Sequence, residues 1–214
     1  MDVEKPLPVA REMAAEDLAG VVSLHRLCFA DYFLTGLGPG VLELFYRAAV
    51  EDPRSVAAVL EAPGKDIVGL CVGTLNPAFH GRLMRENLSA FALGIVRGLF
   101  TSSVVRRGIR QRVGFISKIF RPSMDDTLDR AGVPPAELPQ ARLLDVAVHP
   151  DWRGANAERL VEYFTARMFN VGAGRVGAAV MADNMASLIL YKRLGWEFQR
   201  SSPSRVDVWV DRQS

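Results

Sequence analysis

Apolar residues recur along this chain in two rhythms, and the switching between them predicts its elements. Leu18, Val21, Val22, Leu24, His25, Leu27, Cys28 and Phe29 keep a helical spacing with one nearly continuous apolar face. Three glycines and a proline between Asp31 and Gly40 break that helix, and Val41 to Val50 reads as a second one. Val9 to Met13, Ser55 to Glu61 and Ile67 to Leu75 are β-type runs, the last two joined by the turn cluster Ala62-Pro63-Gly64-Lys65-Asp66 of a hairpin. Gly69 and Gly73 within the third run mark a bulge or a close approach of another backbone.

Further along, Ala141 to His149 is a strand ended by Pro150, and Arg153 to Phe169 is a long helix. Val176 to Met181 is a strand, Met185 to Leu194 a helix, and Trp196 to Arg200 with Val206 to Val210 a closing hairpin. The alternation predicts an α/β chain with a seven-strand mixed sheet flanked by helices. Between its halves, two helices are expected at about Gly81 to Phe100 and Ser102 to Phe120, followed by a polar connector from Met124 to Gln140. Residues 80–140 therefore read as a helical insertion within a single domain spanning 1–214.

Composition changes this picture little. The chain is 49% hydrophobic and 23% charged, as in ordinary globular proteins. Cys28 and Cys71 lack any metal-binding spacing and read as small hydrophobes, and the three histidines are too scattered to predict a metal site. No signal peptide is visible, and the apolar runs stop well short of the ~18 residues that mark a membrane span. A cytoplasmic protein is expected.

Charge adds more. The formal net charge of +2 hides a basic block between His80 and Arg121, where Arg82, Arg85, Arg97, Arg106, Arg107, Arg110, Arg112, Lys118 and Arg121 face the single acid Glu86. A solvated helical face is the default reading; an anionic acceptor, the phosphates of a cofactor or an anionic membrane surface are the alternatives. Nucleic acid is not expected, because the basic residues are not interleaved with stacking aromatics.

Two stretches carry candidate chemistry. In the first, Leu143 to Gly154, an apolar strand runs through a turn into a helix whose N-terminal N–H groups suit an anion. In the second, Asn184, Ser187, Leu188 and Tyr191 fall at i, i+3, i+4 and i+7, with Asn184 as a cap and Gly195 as the stop.

Together these stretches resemble the GNAT N-acetyltransferase superfamily over about residues 141–200. The resemblance implies a mostly antiparallel mixed sheet and acetyl-CoA as co-substrate. It also implies that the strand backbone at Val146, Ala147 and Val148 holds the pantetheine arm, with the N–H of Val146 or Val148 meeting the oxyanion. The turn Arg153-Gly154-Ala155-Asn156-Ala157-Glu158 would take the pyrophosphate, Asn184 and Ser187 would line the cofactor, and Tyr191 would protonate the leaving thiolate. Asn156 and Glu158 stand where the family has small residues, and Glu158 brings like charge to the anion.

The acceptor is expected to be a small-molecule amine, an amino sugar or an anionic compound among the choices, and a second copy of the chain is admitted as a partner. Asp145, His149, Glu43, His25 and Tyr32 are the candidate bases. The rival reading is a GNAT-fold binding or scaffold protein that no longer catalyses, which Glu158 favours and Tyr191 opposes.

Overall fold

The computed structural model describes residues 7–107 and 139–213. Seven strands form one sheet: β1 (Val9–Glu12), β2 (Ser55–Glu61), β3 (Ile67–Thr74), β4 (Gln140–Val148), β5 (Arg175–Met181), β6 (Glu197–Ser202) and β7 (Arg205–Asp211), in the order β1-β2-β3-β4-β5-β7-β6. Every neighbouring pair is antiparallel except β4 and β5. The mixed α/β architecture expected from the alternation of patterns is the one observed.

Helices cover both faces. On one side α1 (Leu18–Cys28), the short α2 (Phe33–Gly36) and α3 (Pro39–Glu51) pack with α4 (Phe79–Glu86) and α5 (Leu88–Thr101). Their core includes Val21, Leu42, Tyr46 and Phe79, set against Val59, Leu70, Val72 and Ala147 of the sheet. On the other side lie α6 (Ala155–Asn170) and α7 (Met185–Arg193). Leu160, Phe164, Met168 and Tyr191 pack there on Ala58, Leu60, Cys71, Leu143 and Val148.

Three local features depart from the sequence pattern. The loop after α1 contains the turn of helix α2, held by Thr35, whose hydroxyl donates to the Phe29 carbonyl at 2.6 Å. The single helix expected from Gly81 to Phe100 is broken at Asn87, whose amide donates to the Leu83 carbonyl at 3.0 Å and competes with the continuing backbone ladder. The helix expected from Ser102 to Phe120 is seen as helix only at residues 103–107; its remainder and most of the connector lie outside the described residues.

The expected irregularity at Gly73 is present as a β-bulge. Val72 pairs with Asp145 and Gly73 with Leu143, so Leu144 is the extra residue of β4. A Cβ at Gly73 would sit 2.4 Å from the Arg142 carbonyl oxygen and 2.5 Å from the Phe164 ring, so only glycine admits this approach.

Outside the candidate site, Arg11 holds the sheet edge together. Its guanidinium reaches Asp17 at 2.6 and 2.7 Å and Glu61 at 2.7 Å, and the Ala14 N–H donates to Asp17 at 2.8 Å. The hydrogen bond from Arg11, working against burial, holds the Asp17 carboxyl below its usual range. A group with a depressed folded pKa stabilises above its unfolded value of ~3.9, and that contribution is lost as pH falls through the folded value. Asp17→Asn is expected to cost about 1–2 kcal/mol at pH 7, typical of hydrogen bonds to charged groups. Melting curves across pH should show the difference from wild type closing in acid; a constant difference would place the effect elsewhere.

Candidate functional site

The parallel pairing of β4 with β5 is short: only Gln140, Ala141 and Arg142 register with Arg175, Val176 and Gly177. Beyond them β5 stays paired with β7 along its whole length, while β4 follows β3. The two strands therefore part from Leu143 onward, at the bulge. The His149 N–H donates to the Val68 carbonyl at 2.8 Å on the β3 side. Alternation along the strand then directs the N–H groups of Val148 and Val146 away from β3, into the gap. The Val148 carbonyl also faces away from β3 and accepts from Arg153 Nε at 3.4 Å and, more loosely, from the Cys28 thiol at 3.7 Å.

At the end of β4, His149 and Asp151 build the turn that leads into α6. The Asp151 N–H donates to His149 Nδ1 at 3.3 Å, and residues Pro150–Trp152 form a 3-10 turn. Gly154 then takes φ +88°, where a side chain would be strained, and it offers no side-chain cap to α6. The Ala157 N–H donates to the Gly154 carbonyl at 3.1 Å, which leaves the N–H groups of Ala155 and Asn156 as the ones an anion would meet at this helix N-terminus.

Asn156 lies within the first turn of α6, where its side chain is occupied: Nδ2 donates to the Trp152 carbonyl at 2.9 Å and Oδ1 accepts from Arg159 at 3.4 Å. Glu158 pairs with Arg193 of α7 at 3.2 Å. That pairing draws the carboxylate toward α7 and offsets its charge, which weakens the expected conflict with a bound anion.

On the α6/α7 face, Asn184 caps α7 by accepting the Ser187 N–H at 3.1 Å, and Gly195 ends it at φ +72°. The expected cap and stop are both in place, and Asn184 commits its side-chain oxygen to the helix. Tyr191 faces the sheet, 2% exposed, with its ring centroid 4.6 Å from that of Trp196. Burial, then the nearby Cys71 and the charge of Asp145, push its phenol well above the usual tyrosine value and keep it protonated.

On the opposite face stands a polar cluster in an otherwise apolar layer. Asp145 projects from β4 toward α1 and α3, its side chain 12% exposed. Tyr46 of α3 donates to Asp145 Oδ2 at 2.5 Å. His25 of α1 places Nδ1 2.6 Å from the Tyr46 oxygen and 3.0 Å from the same Oδ2. Its Nε2 lies 3.0 Å from the Thr35 hydroxyl, which already donates to Phe29 and so must accept here.

Nδ1 of His25 thus faces two oxygens, while Asp145 Oδ1 stays outside these contacts. Burial, the Asp145 charge and the hydrogen bond to it raise the Tyr46 phenol far above its usual value, so Tyr46 keeps its proton and donates it to Asp145 in a hydrogen bond.

Of the five candidate bases, the fold brings together Asp145 and His25. Glu43 pairs with Arg47 on the exposed side of α3 at 2.6 Å, Tyr32 is exposed and packs on Phe29, and His149 belongs to the turn. Tyr46 and Thr35 were not singled out from the sequence. Tyr46 sits among the apolar residues of α3 like any core aromatic, and only the position of Asp145 distinguishes it.

The parallel strand pair is splayed, with the N-terminus of α6 following β4, Tyr191 in the layer on one side of the sheet and Asp145 in the layer on the other. The family model described as "Acetyltransferase (GNAT) family" matches residues 20–196, and the chain belongs to that family. Among curated proteins none matches. Solved structures of the same fold include SsHAT, at 15% identity and a TM-score of 0.58 over 98% of this chain and 100% of that one. They also include the ribosomal-protein-alanine N-acetyltransferase from Brucella melitensis (12%, 0.56, 95% and 99%). A third is the GNAT superfamily phosphinothricin acetyltransferase from Sinorhizobium meliloti in complex with AcCoA (11%, 0.56, 97% and 88%). At these identities the likeness is one of fold.

Proposed function

We propose that this protein is an acetyl-CoA-dependent N-acetyltransferase acting on the primary amine of a small molecule, amino sugars included. What supports this reading is the parting of β4 from β5 beyond Arg142, with Tyr191 buried in the layer on one side of the sheet and the Asp145–His25–Tyr46 cluster in the layer on the other. Acetyl-CoA supplies an activated acetyl thioester. The chain's own groups supply the rest.

The N–H groups of Val146 and Val148 line the gap where a carbonyl oxygen would gain negative charge. Ala147 sits between them, with the backbone of Arg153, Gly154, Ala155, Asn156, Ala157 and Glu158 at the pyrophosphate end and Asn184 and Ser187 across the gap. An alkyl ammonium titrates near ~10 and cannot attack until it loses a proton. Asp145 Oδ1, outside the contacts with His25 and Tyr46, receives that proton directly or through water. Tyr191, held protonated by burial, returns a proton to the departing sulfur. Cys28 and Cys71 are both free thiols, as suits a reducing cytoplasm.

Calorimetric titration with acetyl-CoA, followed by turnover across a panel of amines, tests this reading. Absence of binding would favour the non-catalytic alternative. Glu158→Ala should tighten acetyl-CoA by about two- to fivefold, the scale of an exposed charge pair. Looser binding in the variant would mean that Glu158 supports the site.

A further inference from the structure

The two faces of α5 are of opposite kinds. Phe91, Gly94 and Gly98 are buried, and the glycines let the helix lie close against its neighbours: a Cβ at Gly94 would be 2.9 Å from the Leu37 carbonyl oxygen, and one at Gly98 3.1 Å from that of Gly36. The opposite face carries Leu88, Ala92, Leu93, Val96 and Phe100, with Phe100 83% and Leu93 69% exposed. On a helical wheel these five fall within one arc, broken only by Ser89 and edged by Arg97. Such a contiguous apolar face is uncommon on an isolated protein surface.

The charge around this face is mostly positive, with Glu86 as the single acid in the sequence from 80 to 124. Arg85 precedes it, and Arg106 follows it, tied to the Leu99 carbonyl at 3.1 Å; Arg107 is exposed beside it. After Glu86 the next acidic residue in the chain is Asp125. An isologous dimer through this face would set arginines mostly against arginines, with Glu86 the single acid nearby in the sequence to pair them. Nucleic acid would leave the aliphatic side chains unused.

The geometry points to the outer face of α5 as a docking surface for an anionic lipid bilayer, with Leu93, Val96 and Phe100 entering the headgroup–acyl boundary and Arg85, Arg97, Arg106 and Arg107 meeting the lipid phosphates. At 14 residues α5 is too short to span a membrane, which takes about 20. Among the described residues no helix is long and apolar enough to cross one. An interfacial helix lying in the membrane plane fits both facts.

Co-sedimentation of the full chain with phosphatidylcholine vesicles, with and without phosphatidylserine, tests the inference. Binding is expected only with phosphatidylserine, and it should weaken as salt rises. The pair Leu93→Ser and Phe100→Ser should lower the partition coefficient by about tenfold or more. The pair Arg97→Gln and Arg107→Gln should lower it by about tenfold or more as well, since each basic residue near the surface contributes roughly a fivefold factor.

All four positions are exposed, so thermal unfolding should not change. No sedimentation with phosphatidylserine vesicles, or equal sedimentation with phosphatidylcholine alone, would overturn the inference. So would a concentration-dependent dimer that Phe100→Ser dissolves without any effect on lipid, which would assign the face to a second copy of the chain.

Discussion

Asp145→Asn lowers turnover of an accepted amine by about 10²–10⁴-fold at pH 7, the range of a lost general base. The amide keeps the shape of the carboxylate and can still accept from Tyr46, so the layer between β4, α1 and α3 stays folded. What it loses is the negative charge that draws the ammonium proton. The deficit should shrink as pH rises toward ~10, because a growing share of the amine then arrives already neutral. Steady-state rates of wild type and variant across pH, with acetyl-CoA saturating, decide the matter. A deficit that stays constant with pH would make Asp145 a structural partner of His25 and Tyr46 and move the base elsewhere.

Tyr191→Phe is expected to keep the fold and acetyl-CoA affinity and to lower turnover by about 10- to 10⁴-fold. The ring still fills its place against Trp196, so packing is preserved. Only the proton is removed, and burial had kept that proton on the phenol. Unchanged turnover with a working acceptor would mean that water reprotonates the thiolate.

Most of the architecture was readable from the chain because its pattern is locally consistent. Helical spacing, the Asn184 cap and the Gly195 stop placed Tyr191 on an inward face, where it is found. The polar cluster around Asp145 was only half readable. His25 and Asp145 are 120 positions apart and Tyr46 belongs to a third element, so no local spacing relates them. The run Leu143-Leu144-Asp145-Val146-Ala147-Val148 offers no alternation of polar and apolar residues from which to tell which side chain faces which layer. The pairing of Glu158 with Arg193 was hidden for a related reason: it joins two helices across the gap rather than two neighbours on one helix.

The extra residue at Leu144 sets the parity of β4. Ala141 and Leu143 turn toward α6 before it, Asp145 and Ala147 toward α1 and α3 after it, and Val146 and Val148 back toward α6. In an unbulged strand Asp145 would share a side with Leu143, and its carboxylate would enter the apolar layer that holds Tyr191. One inserted position therefore sets Asp145 and Tyr191, the groups proposed to receive and to give the proton, on opposite sides of the sheet. Deleting Leu144 would remove the bulge and still leave Leu143 and Asp145 on opposite sides, so it is the in-register pairing of Leu144, not its loss, that would turn the carboxylate over.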